Sequence, residues 1–495
     1  MKARLKIDLD RSIGRINPNI YGQFMCRRPG CSEGGLYEPQ AANADAAGLR
    51  SDVVQYIQDL RPPILRWPGG CTGTSYHWLD GVGPVEERPS KIDLHFGWPA
   101  RYEFGTHEFI QFCRRIGAEP HLNFAMGTAD LEEAAAWLEY CNGTANTYYA
   151  NLRRQHGQDA PYGVHYWQLG NEMYGSWEIG YCKASEYGAE AREWAKVLRR
   201  LDPSIELIAV GGHPAAAQDW VLGVAPEVCP YVDYLSVHDY WHSGPTLSGW
   251  DALMAGPHRT GQVIEEMAAV IRKVRRNNPR SRDISIAVTE WNASPEGTMM
   301  ANHPELNPFG PTYHMRDALT VAAFMNLMQR RCNIVKLATV AQSINVVGLI
   351  MVTTDGVWRE PVYWPFWMQA NYSGPIALDA WQECDTFDAP ELRVWNIPYL
   401  DSSVTFNPEK GTLYLSLVNQ HQSDAIELDI ALPEASVRAT GTLRRLAHAD
   451  PLAMNTPAHP DNVAPSVRTV DGLGSRFTCE LPPASYTILE LGLNA

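Results

Sequence analysis

Lysine and arginine are scarce in this sequence: 41 stand against 56 aspartates and glutamates, a formal charge of −15 over 495 residues. A surface of that sign repels phosphate backbones and anionic headgroups, which argues against nucleic acid and membrane as partners. Also missing is an apolar run of the roughly 20 residues that a bilayer-spanning helix needs. The opening Met-Lys-Ala-Arg-Leu-Lys-Ile-Asp has neither the apolar core nor the small-residue cleavage site of a secretory leader. The ten cysteines are scattered, with no Cys-x-x-Cys and no His/Cys cluster at zinc spacing. The expectation is reduced thiols in the cytoplasm, with no metal and no other cofactor. Neither an internal repeat nor a low-complexity tract is visible.

What is present is an ordinary globular composition, 45% apolar and 20% charged, with ample material for a large core. The apolar pattern predicts eight buried strands alternating with helices: Asn19 to Phe24, Ile64 to Trp67, Glu119 to Asn123, Tyr166 to Leu169, Glu206 to Val210, Tyr234 to Val237, Ile284 to Thr289 and Ile334 to Thr339. Strand then helix, about eight times over, is the pattern of a (β/α)8 TIM barrel. After about Pro375 the texture changes to short alternating strands between turns, which predicts an antiparallel β-sandwich. The first segment, Lys2 to Leu9, alternates in the same way and is expected to complete that sandwich. The division expected is a catalytic barrel over 16–374 and a sandwich over 1–15 and 375–495.

Two strand ends carry chemistry. Trp-Gln-Leu-Gly-Asn-Glu (167–172) ends a buried strand on Asn171 and Glu172, and the 284–289 strand delivers Glu290. Either glutamate alone could simply cap a following helix. Together, at the tips of two buried strands, they are the pair that retaining glycoside hydrolysis requires: one carboxyl protonates the leaving oxygen and later activates water, and the other attacks the sugar carbon. Arg66, His238, Tyr240 and Gln342 also fall at or just after strand ends, the rim where barrels keep their chemistry. The aromatic loop from Tyr76 to Pro89 is too long for a mere connector and reads as substrate-facing.

The motifs Arg-Trp-Pro-Gly-Gly-Cys (66–71), Tyr-His-Trp (76–78), Asp-Gly-Val-Gly-Pro (80–84), Gly-Asn-Glu (170–172), His-Asp-Tyr (238–240), Thr-Glu-Trp-Asn (289–292) and Ala-Gln (341–342) resemble glycoside hydrolase family 51, the intracellular α-L-arabinofuranosidases. The resemblance runs nearly the whole length, to Leu-Pro-Pro-Ala-Ser (481–485). It implies Glu172 as general acid/base and Glu290 as nucleophile. It implies that Asn171 binds the sugar 2-hydroxyl, that His238 and Tyr240 orient the two carboxyls, and that Arg66 lies under the nucleophile. Cys71 and Gln342 match positions that contact the sugar. A raised pKa is expected of Glu172, which must start the cycle protonated. The family also implies a homo-oligomer, hexamers included.

Two departures stand out. Where the family carries a sugar-binding glutamate after Tyr21-Gly22-Gln23-Phe24-Met25, this sequence has Cys26. Glu33 is a candidate to fold back in its place. A subsite tryptophan of the family aligns with Phe96, with Trp98 the candidate substitute. These departures motivate an alternative, an endo-β-1,4-glucanase or β-xylosidase on the same scaffold. A third reading is a catalytically dead sugar-binding protein.

Overall fold

The computed structural model describes residues 1–214, 217–244, 246–295, 313–353, 356–433 and 435–494. Eight parallel strands close into a barrel: β1 (Gly22–Phe24), β2 (Ile64–Trp67), β3 (Glu119–Phe124), β4 (Tyr166–Leu169), β5 (Glu206–Val210), β6 (Tyr234–Ser243), β7 (Ser285–Pro295) and β8 (Val335–Ala341). Each pairs with the next in sequence, and β8 returns to β1 with Thr339 opposite Gly22. Several intervening helices, such as Thr106–Ile116, bury one face, whereas Met315–Arg330 is buried nearly all round. Thr106–Ile116 shows why it starts and stops: Glu108 accepts from the Gly105 N–H, Arg114 and Arg115 sit in the last turn, and Gly117 ends it at φ 75°. Among the described residues no helix is long and apolar enough to cross a membrane.

The barrel interior is layered. Ile64, Ile208, Tyr234, Ala287 and Leu337, from five strands, form a small apolar cluster. Two residues further along a strand the side chain returns to the same face, so Arg66 stands above Ile64, and Ser236, His238 and Tyr240 follow Tyr234. The interior thus turns polar toward the strands' C-terminal ends.

Several boundaries differ from the sequence reading. The first strand is only three residues long, because Asn17 caps a 3-10 turn at Pro18–Tyr21 by accepting from the Asn19 N–H at 3.0 Å. The sixth and seventh strands run on past the predicted ends, so His238, Tyr240 and Glu290 lie within paired strand rather than after it.

The second unit is built on a nine-stranded sheet, with a separate antiparallel pair at Thr386–Ala389 and Val394–Pro398. Lys2–Arg15 joins it as expected, antiparallel to Ile376–Glu383, but it pairs parallel with Ile426–Ala431. One apolar core, including Leu5, Ile7, Leu415, Leu428, Leu443 and Leu489, draws on strands across this sheet. The Met315–Arg330 helix ties barrel to sheet. Asn326 donates to Asp401 Oδ1 at 2.8 Å, and Arg330 pairs with Asp401 Oδ2 at 2.7 Å.

Candidate active site

At the C-terminal end of the barrel a cavity of about 410 Å³ is lined by Glu172 and Glu290, with Phe24, Cys26, Arg28, Gly70, Cys71, His95, Phe96, Trp177, His213, Tyr240, His242 and Gln342 among its walls. A second hollow of about 530 Å³, lined by residues such as Leu138, Asn142, His165 and Asp202, lies near the opposite end of β4, away from both glutamates.

Local backbone geometry aims the two carboxyls. Gly170 turns the chain off β4 at φ 79°, and Glu172 itself holds φ 45°, a conformation that side-chain-bearing residues rarely adopt. On β7 the register slips between Val288 and Glu290, leaving Thr289 as an extra residue opposite β6. Such a bulge re-aims side chains. As a result Thr289 Oγ1 meets His238 Nε2 at 2.7 Å while Glu290, one residue on, also faces the cavity.

Arg66 is fully buried and organises the floor. One guanidinium nitrogen donates to Glu290 Oε1 at 2.6 Å and to the Thr289 carbonyl at 3.1 Å; the other donates to Asn171 Oδ1 at 2.7 Å. Its remaining face lies over the Phe24 ring, 4.5 Å from the centroid. Tyr240 donates to Glu290 Oε2 at 2.8 Å. The Glu290 carboxylate therefore has both oxygens held. A planar fork is suited to that task, because one residue can satisfy two acceptors in fixed geometry.

Glu172 is held differently. His238 Nδ1 lies 2.8 Å from Oε1, and Trp177 donates to Oε2 at 2.7 Å. Burial pushes the Glu172 carboxyl up, but the hydrogen bond and charge of His238, the Trp177 N–H and the charge of His213 together hold it below the ordinary value. This corrects the raised pKa expected from the sequence. The donors that orient the carboxyl also stabilise its ionised form.

A buried glutamate absent from the sequence reading completes the set. Glu178 Oε1 accepts from Asn171 Nδ2 at 3.0 Å and Oε2 from Thr74 at 2.8 Å. Burial, then the nearby Glu172 charge, raises its carboxyl to about 7. Gln342 lines the cavity, and among the described residues its buried Oε1 meets no protein donor.

Two models described as the α-L-arabinofuranosidase 1 domain and the α-L-arabinofuranosidase C-terminal domain match residues 56–249 and 289–485. The intracellular exo-α-(1→5)-L-arabinofuranosidase 1 of Bacillus subtilis is 32% identical over 99% of both chains. The chain belongs to the α-L-arabinofuranosidases of glycoside hydrolase family 51. Arabinofuranosidase C of Emericella nidulans is 34% identical, covering 88% of each chain. The crystal structure of the Thermotoga maritima α-L-arabinofuranosidase in its arabinose complex superposes with a TM-score of 0.89, at 33% identity and 99% coverage of both chains. The β-1,4-glucanase alternative is not favoured by these matches.

Within this family frame, the residues read from the sequence mostly converge. Glu172, Glu290, Tyr240, Cys71 and Gln342 line one cavity, and Arg66, Asn171 and His238 brace it from beneath. Trp98 does not line the cavity. It stacks behind Phe96, centroids 4.5 Å apart, and Phe96 forms the wall. Glu33 does not replace the missing glutamate either, because its Oε1 accepts from the Phe104 N–H at 3.2 Å, outside the cavity. Cys26 does line the cavity, and its thiol is engaged with Thr72 Oγ1 at 3.1 Å. The Arg28 guanidinium, over the Phe96 and Trp98 rings at 5.2 and 5.4 Å, brings a cation to the same wall. Trp177 could have been suspected as an aromatic five residues past Glu172. Nothing local in the sequence marks His95 or Glu178.

Proposed function

We propose that this glycoside hydrolase releases α-L-arabinofuranosyl groups from arabinan and arabinoxylan oligosaccharides by a double displacement with retention. The observation that carries the mechanism is proximity. A carboxylate oxygen of Glu172 and one of Glu290 lie within 4.8 Å of each other. Retaining enzymes keep their two carboxyls about 5–5.5 Å apart, whereas inverting ones leave about 6.5–9.5 Å for a water.

In the first step a Glu290 oxygen forms a bond to the anomeric carbon while the glycosidic C–O bond breaks. Glu172 gives its proton to the departing oxygen. In the second, Glu172 takes a proton from water, the hydroxide oxygen attacks the anomeric carbon and the Glu290 ester bond breaks. His238 Nδ1, 2.8 Å from Oε1, orients the Glu172 carboxyl for both proton transfers. Arg66 and Tyr240 hold the nucleophile, and Asn171, itself fixed by Arg66 and Glu178, presents its amide to the sugar 2-hydroxyl. Cys71 and Gln342 meet the remaining hydroxyls.

The substrate class follows the relatives' names, the B. subtilis one being an exo-α-(1→5)-L-arabinofuranosidase. That relative's description as intracellular supports a cytoplasmic location. A homo-oligomer is proposed on family grounds, to be read by light scattering on the eluting protein. The decisive test is proton NMR of the sugar first formed from an aryl α-L-arabinofuranoside. Initial release of the α-anomer is expected, and initial β-anomer refutes the double displacement. Negligible turnover beside clear β-glucan cleavage refutes the substrate assignment.

A further inference from the structure

We propose that Cys71, His95 and Glu178 form a binding site for a soft divalent transition-metal ion of the Zn2+ type, set in the wall of the sugar cavity. The Cys71 Sγ, a His95 ring nitrogen and a Glu178 carboxylate oxygen lie within 4.8 Å of one another. They come from three separate loops, after β2, in the long excursion before β3, and after β4. Donor type selects the ion. An all-oxygen set suits Mg2+ or Ca2+, whereas thiolate, imidazole and carboxylate together suit Zn2+ and its neighbours. Zinc bonds of about 2.0–2.3 Å in tetrahedral geometry put ligands roughly 3.5 Å apart, so the three side chains close by about 1 Å around an ion.

The surroundings are built to orient these donors. Glu178 is held by Asn171 Nδ2 and Thr74 Oγ1, at 3.0 and 2.8 Å. The His95 loop is pinned where Asp93 Oδ1 accepts from the backbone N–H of His95 and of Phe96 at 3.1 and 3.0 Å. Asp93 is in turn paired with buried Arg27 at 3.2 Å. Such outer partners fix ligand direction in metal sites. Cys71 and His95 both line the cavity, so the fourth coordination position opens toward the sugar. Binding exchanges the thiol proton, released to solvent, for a sulfur–metal bond.

The consequence rests on the sugar-binding reading given above. The ion occupies Cys71 and draws on Glu178, the partner of Asn171, so metal and arabinoside compete. Glu172, His238 and Glu290 offer a second trio of donors within 4.8 Å, but it has no sulfur. That difference makes the proposal spectroscopically decidable.

The experiment is titration of the intact protein with Co2+, followed by displacement with Zn2+. A near-ultraviolet thiolate-to-cobalt charge-transfer band with intense tetrahedral visible bands is expected. Glu290→Gln should keep both, Cys71→Ser should abolish the charge-transfer band, and His95→Ala, on an accessible loop, should weaken metal affinity at least ~10-fold. Absence of the band in the unmodified protein, its persistence in Cys71→Ser, or its loss in Glu290→Gln overturns the site. In the same samples Zn2+ should raise KM for an aryl arabinofuranoside at least ~10-fold with kcat little changed, and His95→Ala should resist. A normal Co2+ spectrum with an unmoved KM leaves the metal site standing and overturns the sugar-subsite role of Cys71.

Discussion

Replacing Arg66 by lysine keeps the positive charge and removes the fork. The guanidinium spans Glu290 Oε1 at 2.6 Å and Asn171 Oδ1 at 2.7 Å through two different nitrogens. A single ammonium at the end of a straight stem reaches one of these, and Coulomb attraction selects Glu290. The lost bond to Asn171 is a hydrogen bond to a charged donor, worth about 1.5–3 kcal/mol. Asn171 then keeps only its Nδ2 bond to Glu178 and loses the orientation that the proposed mechanism requires at the 2-hydroxyl, where contacts tighten in the transition state. Together these give ~2–4 kcal/mol, or a fall in kcat/KM of roughly 30- to 900-fold. The loss should appear mainly in kcat, since the interaction strengthens along the reaction. Arg66→Met, which leaves the buried Glu290 without its cation, should lose more and should also unfold at lower temperature, because breaking one side of a buried pair costs about 3–5 kcal/mol. Steady-state rates on an aryl α-L-arabinofuranoside, with circular dichroism melts of the same samples, make the check. A folded Arg66→Lys protein within about fivefold of the parent refutes the claim that the fork, rather than the charge, organises the floor.

Glu172→Ala should lose ~10²–10⁴-fold on an unactivated arabinosyl disaccharide but far less on a nitrophenyl glycoside, whose leaving group needs little protonation. Azide should restore turnover and give the α-glycosyl azide. Trp177→Phe removes the N–H that stabilises ionised Glu172, so its carboxyl rises and keeps its proton to higher pH. The alkaline limb of kcat/KM should move up, and a downward move rules out this role. Burial raises Glu33 from an ordinary 4.5 to about 7. Below about 4.5 both states are protonated; between there and 7 the native state keeps a proton the unfolded chain has lost, so stability falls as pH rises and the loss is complete above 7. Glu33→Gln can still accept from the Phe104 N–H and should flatten the decline of melting temperature across that window. An unchanged slope contradicts the shift.

The alternation of apolar runs with helices determined the barrel by itself, because a strand covered on both faces must be almost wholly apolar. The polar residues that end such runs fall on one rim for the same reason, which is why Arg66, Glu172, His238, Tyr240, Glu290 and Gln342 were legible. The late strands were legible as a group, although their merging into one sheet, with a parallel pairing at Lys2–Arg15, was decided by long-range hydrogen bonding. The remaining features depend on contacts between distant loops. The extra residue at Thr289 that turns Glu290 inward is visible only against β6. The depressed Glu172 carboxyl depends on His238, 66 residues away, and on Trp177. Phe96 rather than Trp98 lines the cavity, with Trp98 stacked behind it. Cys71, His95 and Glu178 have no metal-binding spacing in sequence, yet three loops bring their donors within 4.8 Å. Periodicity is a local property that burial writes into the chain. A constellation is a property of closure, and the ends of a closed barrel bring together residues whose separation along the chain carries no signal.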